Sequence, residues 1–399
     1  MNRVLIVGAS MGGLRTAESL RRSGFDGEIT IVGAEKHLPY NRPPLSKALL
    51  AEDKELDSVA FKINTEELKA DFILGNPAQS VDIENKEATL SSNEKLSYDF
   101  LVAATGLRSR KMDFQNLVES GRFSLRTYDD AKRIRSSVAT GKHVVILGAG
   151  FIGLELAATL RKLGCSVDVV AMETTPLAPI IGELFGKEIQ KRHEAKGVHF
   201  HMNNSVKDLI GDSFVTGVIL GDGKSLECDI FIEAVGSLPN TEWLEGSVLD
   251  KSNGVLTDKT LRAVNSDGKV IESFFAVGDI ARFPYVNQQL PARRIEHWNI
   301  PIEGGKRVGR EIANAANPGS VGDFNPTEQF NPLPSFWSDQ YEMSILSYGE
   351  PKIADEIELI KGSLDADFIF SYRRKGTLVG AAGIGLRQEL NKLRSEICL

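Results

Sequence analysis

The chain of 399 residues has three cysteines, Cys165, Cys228 and Cys398. No two of them form a C-x-x-C pair, which excludes a disulfide framework or a structural zinc site as the organising element. Histidine is scarce as well. His199 and His201 stand two apart on a strand-like run and face one side, but the pattern offers no third ligand, so no metal is expected. Positive charge is in deficit. A formal net charge of −7 argues against general nucleic-acid binding while leaving room for a local basic patch. No uninterrupted apolar run can span a bilayer. The longest, around Val144 to Leu160, carries Glu155 and three glycines. A strand-like run begins at Val4, leaving no room for a leader, and Cys398 does not fit a prenylation box. A cytoplasmic protein with neither membrane nor nucleic-acid partners is the expectation. Linkers and low-complexity tracts are missing too.

What is present is ordinary globular material, 42% hydrophobic and 25% charged, in a length suited to two or three domains. It contains an internal repeat. The segment from Val4 to Glu35 and the segment from Val144 to Glu173 match at Gly8/Gly148, Gly13/Gly153, Ala17/Ala157, Leu20/Leu160, Arg21/Arg161 and Gly24/Gly164, with Glu35 falling opposite Glu173. Each copy reads as a short buried strand, a glycine-rich turn, a helix and a second strand, a βαβ unit found twice. The turn carries the chemistry. Its first glycine allows a tight bend, its middle position lets backbone approach a pyrophosphate, and its last lets helix pack on strand. Helix N-terminal N–H groups then face phosphate oxygens. The second copy, Gly148-x-Gly150-x-x-Gly153 with Phe151 and Ile152 between, fits fully. The first has Ser10 at the middle position, ahead of Gly12 and Gly13. An acid after each second strand, Glu35 or Glu173, is suited to ribose hydroxyls. Two dinucleotide sites in one chain point to FAD plus a nicotinamide cofactor.

Further strands are expected at Tyr98–Gly106, Cys228–Gly236 and Ser273–Asp279. After the Pro-containing stretch Asn317–Pro334 come apolar runs at Met343–Leu346, Ile357–Ile360, Phe368–Tyr372 and Leu378–Ala382, a hairpin turn at Arg373–Gly376 and a helical tail at Arg387–Ile397. The fold class is therefore α/β, with two Rossmann-like dinucleotide-binding domains and a small α+β C-terminal domain. The expected division is 1–110 with 238–319 for FAD, 111–237 for NADH, and 320–399.

Several motifs in combination resemble the ferredoxin-reductase branch of the FAD/NAD-linked, glutathione-reductase-like flavoproteins: YNRPPLSK at Tyr40–Lys47, ATG at Ala104–Gly106, LRTYDDA at Leu125–Ala131, AVGD at Ala276–Asp279, EHW at Glu296–Trp298 and FWSDQ at Phe336–Gln340. The resemblance covers nearly the whole chain. It implies that Glu35 binds the adenosine ribose of FAD, and that Arg42, Pro43 and Lys47 approach the flavin. Thr105, Gly106, Arg126, Gly278 and Asp279 would line the same cofactor, with Gly236 closing the matching turn of the second unit. His297, Trp298 and Trp337 would lie by the isoalloxazine ring, and Glu155 would pair with Lys47 where the nicotinamide stacks. Lys47, Glu155, Trp298 and Trp337 are the expected catalytic set. Two departures stand out. EHW is followed by NIPIEGG rather than a segment ending in Gln-Gly, with Pro301 at a helix start. Ala171 stands where many relatives place the ribose-binding acid, and Glu173 is the replacement.

Disulfide reductases of this fold carry a cysteine pair beside the flavin, whereas no cysteine precedes Cys165 here. The expected reaction passes electrons from NADH through FAD, singly, to a small [2Fe-2S] ferredoxin that feeds an oxygenase. Two alternatives stand beside it: a quinone or radical reductase, and a redox-sensing interaction protein resembling apoptosis-inducing factor. Glu173, with no Arg or Lys near it in Ala171–Pro176, predicts NADH over NADPH. A docking patch is expected from Arg293, Arg294, Lys306, Arg307, Arg310, Arg373, Arg374 and Lys375. A monomer or weak homodimer is expected.

Overall fold

The computed structural model describes residues 2–285 and 290–398. The first βαβ unit is β1 (Arg3–Val7), α1 (Met11–Arg22) and β2 (Glu28–Gly33). The second is β3 (His143–Leu147), α2 (Phe151–Lys162) and β4 (Ser166–Val170). Further along come α3 (Glu183–Glu194), α4 (Asn299–Ala316) and β5 (Ser335–Gln340).

β1 lies inside a six-stranded sheet, parallel to β2 on one side and to Phe100–Ala103 on the other. Val4 to Val7 are almost wholly buried, as a strand covered on both faces requires. Val270–Ala276 returns from far along the chain to pair with Phe100–Ala103, so the sheet is assembled from two separate stretches. The second unit builds an all-parallel sheet in the order Val198–His201, β4, β3, Ile230–Glu233, Arg122–Ser124. The C-terminal part is a five-stranded antiparallel sheet with β5 at one edge and Glu356–Gly362 at the other. This is the mixed α/β architecture expected. Two three-stranded antiparallel meanders, starting at Ala78 and at Val206, were not anticipated.

The glycine pattern has a steric cause. A Cβ at Gly13 would sit 2.1 Å from the Gly8 carbonyl oxygen, and one at Gly153 would sit 2.1 Å from that of Gly148. Gly8 and Gly148 themselves adopt φ of +129° and +112°, a region that excludes ordinary side chains. α1 buries Leu14, Ala17 and Leu20 on one face and packs tightly on α4, where a Cβ at Gly309 would meet that of Ser19 at 2.4 Å. Pro301 does not disturb α4. It falls in the first turn, where a missing N–H costs no helical hydrogen bond.

Candidate functional site

One cavity opens where the C-terminal ends of the first sheet meet α2 and β5. The first unit contributes Ser10 and Gly12 from the start of α1. The loop after β2 brings Arg42, Pro43 and Lys47, and the turn after Phe100–Ala103 brings Thr105 and Gly106. Arg126, Gly278 and Asp279 form the polar wall. Phe151, Ile152 and Glu155 enter from α2, His297 and Trp298 from the start of α4, and Trp337 from β5. Elements distant in sequence therefore converge on one space.

Gly8, Gly13, Gly148, Gly150 and Gly153 do not line the cavity; they shape the two turns behind the helix starts. Neither α1 nor α2 has a side-chain cap or an acid in its first turn. Their N-terminal N–H groups and positive dipole ends are thus left for an anion. Around Gly150 a Cβ would meet nothing within 4 Å among the described residues, so the backbone there is open to approach. The donors present suit FAD at the first turn and a nicotinamide dinucleotide at the second.

Glu35, Glu173 and Gly236 lie outside the cavity lining. Glu35 is engaged on both oxygens, by the Tyr40 hydroxyl at 2.5 Å and by Arg42 Nη2 at 2.5 Å. The sequence did not point to Tyr40 as the residue that fixes this acid. Glu173 is exposed just beyond β4. Gly236, at φ +92°, accepts a backbone hydrogen bond from Arg110.

Within the cavity, Lys47 Nζ stands 2.7 Å from Glu155 Oε1, and the two side chains are 19% and 7% exposed. Two hydroxyls missed in the sequence also donate to that carboxylate, Ser46 at 2.5 Å and Ser338 at 2.6 Å. They went unnoticed because a serine carries no signature until its partner is known. Arg126 Nη2 meets Asp279 Oδ2 at 3.3 Å. Burial pushes the Asp279 carboxyl up, with Arg126 pulling against it. Burial pushes His297 down to about 4, and its Nδ1 has no partner among the described residues, so it faces the cavity as a neutral ring. The Trp298 indole donates to Asn41 at 3.2 Å and packs edge-on against Trp337, with centroids 5.6 Å apart. Trp337 is 39% exposed and brings the cavity wall to the surface.

No cysteine lines this space. Cys165 and Cys228 are buried elsewhere, and burial raises both thiols, Cys228 to about 12, which keeps them protonated and unreactive.

Within the candidate docking patch, four of the eight basic residues are paired with acids. Arg293 pairs with Glu350, Arg294 with Glu296 at 2.9 Å and Lys306 with Glu303 at 2.8 Å. Arg307 is buried against Glu311, and Arg310 lies over the Phe324 ring. Arg373 donates to the Gly376 carbonyl of its own turn. His199 and His201 gather with His143 around one carboxylate. Asp168 takes His201 Nε2 and His143 Nε2 at 2.6 Å each, with His199 at 3.9 Å. Among the described residues no group of three or more His, Cys, Asp or Glu is placed to hold a metal, and no helix is long and apolar enough to cross a membrane.

Comparison with known proteins agrees with this geometry. Rhodocoxin reductase of Rhodococcus erythropolis is 29% identical over 385 residues, covering 96% of this chain and 86% of that protein. The crystal structure of the ferredoxin reductase for the CYP199A2 system from Rhodopseudomonas palustris superposes with a TM-score of 0.89 at 31% identity, over 99% of this chain and 94% of the other. The reductase in the covalent putidaredoxin reductase–putidaredoxin complex gives 0.89 at 27%, over 99% and 92%. A reductase C-terminal family matches residues 335–397. The match that runs from residue 2 to residue 305 makes the chain a member of the pyridine nucleotide-disulphide oxidoreductase family, an oxidoreductase whose cofactors are FAD and NAD(P)H.

Proposed function

We propose that the protein is an NADH:ferredoxin reductase. FAD, when bound, accepts a hydride and releases electrons one at a time. FAD would lie along residues 1–110 with 238–319, its pyrophosphate on the start of α1 and its ring between Lys47 and the two tryptophans. NADH would lie on 111–237, with its own pyrophosphate at the start of α2 and Glu173 accepting from the ribose hydroxyls. Arg126 and Asp279 would hold the polar chain of FAD. Glu155 orients the Lys47 ammonium, which favours negative charge gathering on the ring.

The observation that carries the reading is a cavity without a thiol whose wall reaches the surface at Trp337. Electrons entering from NADH have no internal disulfide to reduce, so they leave to an outside acceptor. Relatives whose names specify ferredoxin or putidaredoxin as partner favour a small iron–sulfur protein over a quinone. The test is cytochrome c reduction by NADH, with and without an added [2Fe-2S] ferredoxin. Strong dependence on ferredoxin is expected. Equal rates without it, or faster turnover of a quinone, would replace this reading with small-molecule reduction.

A further inference from the structure

The Lys47–Glu155 pair is not isolated. Behind it a line of buried polar side chains crosses from the C-terminal sheet into the second nucleotide-binding unit. Ser338 on β5 is fully buried, as are Gln340 on the same strand and His193 on α3. Gln340 Nε2 lies 3.0 Å from Ser338 Oγ, and Gln340 Oε1 lies 2.8 Å from His193 Nε2.

The direction of each hydrogen bond follows from its end. The Glu155 carboxylate only accepts, so the one Ser338 proton goes to it. Ser338 Oγ must then accept from the Gln340 amide. The Gln340 carbonyl is left to accept from His193 Nε2–H, which fixes the ring tautomer and leaves Nδ1 without a partner among the described residues. Burial pushes His193 down to about 4, so the ring stays neutral and no charge competes with Lys47. Every donor in the line points toward Glu155.

Ser338 lies opposite Ile345 and Gln340 opposite Met343 on the neighbouring strand, and His193 packs edge-on against Phe200 and Tyr341, all members or neighbours of one apolar cluster. Well-packed apolar side chains there would serve stability as well or better. A polar line in that place restricts geometry instead: it holds one rotamer of Glu155, and through it the position of the Lys47 ammonium.

We propose that Ser338 and Gln340, backed by His193, are positioning residues for the Lys47–Glu155 pair, so that the C-terminal sheet sets the electrostatics of the cofactor cavity. The inference rests on Lys47 acting at the flavin, not on the identity of the electron acceptor.

The test uses FAD-loaded protein and two readouts, the midpoint potential of the bound flavin and its rate of reduction by NADH in stopped flow. Ser338→Ala should slow reduction about three- to tenfold and move the potential in the direction that Lys47→Met moves it. Ser338→Thr keeps the hydroxyl and should restore both values. In a Lys47→Met background, Ser338→Ala should add nothing, because its effect travels through Lys47. Gln340→Met, of similar volume, serves as a second variant if Ser338→Ala folds poorly, and should act in the same direction. An unchanged potential in both Ser338→Ala and Gln340→Met, or effects that add fully to Lys47→Met, would overturn the positioning role. If Lys47→Met itself leaves both readouts unchanged, the placement of Lys47 at the flavin fails, and the inference fails with it.

Discussion

At the scale of single residues, the proposed discriminator between nucleotides is Glu173. It is exposed beyond β4 with no basic side chain in the surrounding stretch 171–176. A 2′-phosphate would meet a carboxylate there, whereas ribose hydroxyls meet an acceptor. NADH should have the higher kcat/KM, and Glu173→Arg should narrow the ratio about tenfold. Equal values for the two cofactors in the unaltered protein would remove Glu173 from this role. His193 makes a second prediction. Its folded pKa lies near 4 against an ordinary 6.5, so on acidification the unfolded chain takes up the proton first. The stability tied to a neutral His193 is complete above about pH 6.5 and is lost as pH falls toward 4, by about 3–4 kcal/mol in all. Urea melts between pH 7.5 and 5 should show the decline, and His193→Gln should flatten it. Residues inside strong motifs, such as Lys47 and Asp279, were legible in the sequence. Tyr40, inside the same motif, gave its position but not its task of holding Glu35. Ser46 and Ser338 bond to Glu155, far along the chain, and Gln340 links Ser338 to the distant His193, and no local pattern announces that.

At the scale of elements, the two βαβ units were readable because their glycines answer to sterics. A Cβ at Gly153 overlaps the Gly148 carbonyl oxygen at 2.1 Å, and that atom is backbone and cannot step aside cheaply. Gly153→Ala should therefore distort the second turn, raise KM for NADH on the order of tenfold or more, and leave FAD in place. Flavin absorbance with steady-state kinetics checks this, and loss of flavin instead would mean that the two units are not independent. β5 shows the opposite case. Its inward positions are Phe336, Ser338 and Gln340, so two of three are polar and the alternation expected of a half-buried strand is broken. The sequence yielded a motif there, but no strand. The four strands that follow it carry apolar residues in clear runs and were anticipated within a few positions. Pro301 is similar in kind: its effect depends on where the helix begins, which only the fold decides.

For the whole molecule, charge distribution counts more than net charge. Three of the arginines expected to greet an acidic partner are paired within the fold. Arg293 and Glu350 are 21% and 11% exposed and join the strand at 290–293 to the C-terminal sheet. Arg293→Glu would set two carboxylates against each other in a half-buried place. The expected outcome is about 1.5–3 kcal/mol of lost stability, with ferredoxin and ferricyanide reduction falling together. A loss confined to ferredoxin would restore Arg293 to the docking surface. Such pairings cannot be read from sequence, since the acid that claims each arginine is chosen by the fold.

The hydrogen bond from Ser338 to Glu155 spans 183 positions of chain, and that separation has a meaning in time. At about 5–20 residues per second, synthesis would take roughly 10–40 s to advance from one to the other. During that interval both nucleotide-binding units can already be assembling while β5 does not yet exist. A nascent chain could bind its cofactors but would hold Glu155 by Ser46 and Lys47 alone, with the wall formed by Trp337 still missing. Placing the last donor and the surface-reaching wall of the cavity on one late strand means that the site is complete only after β5 has been made.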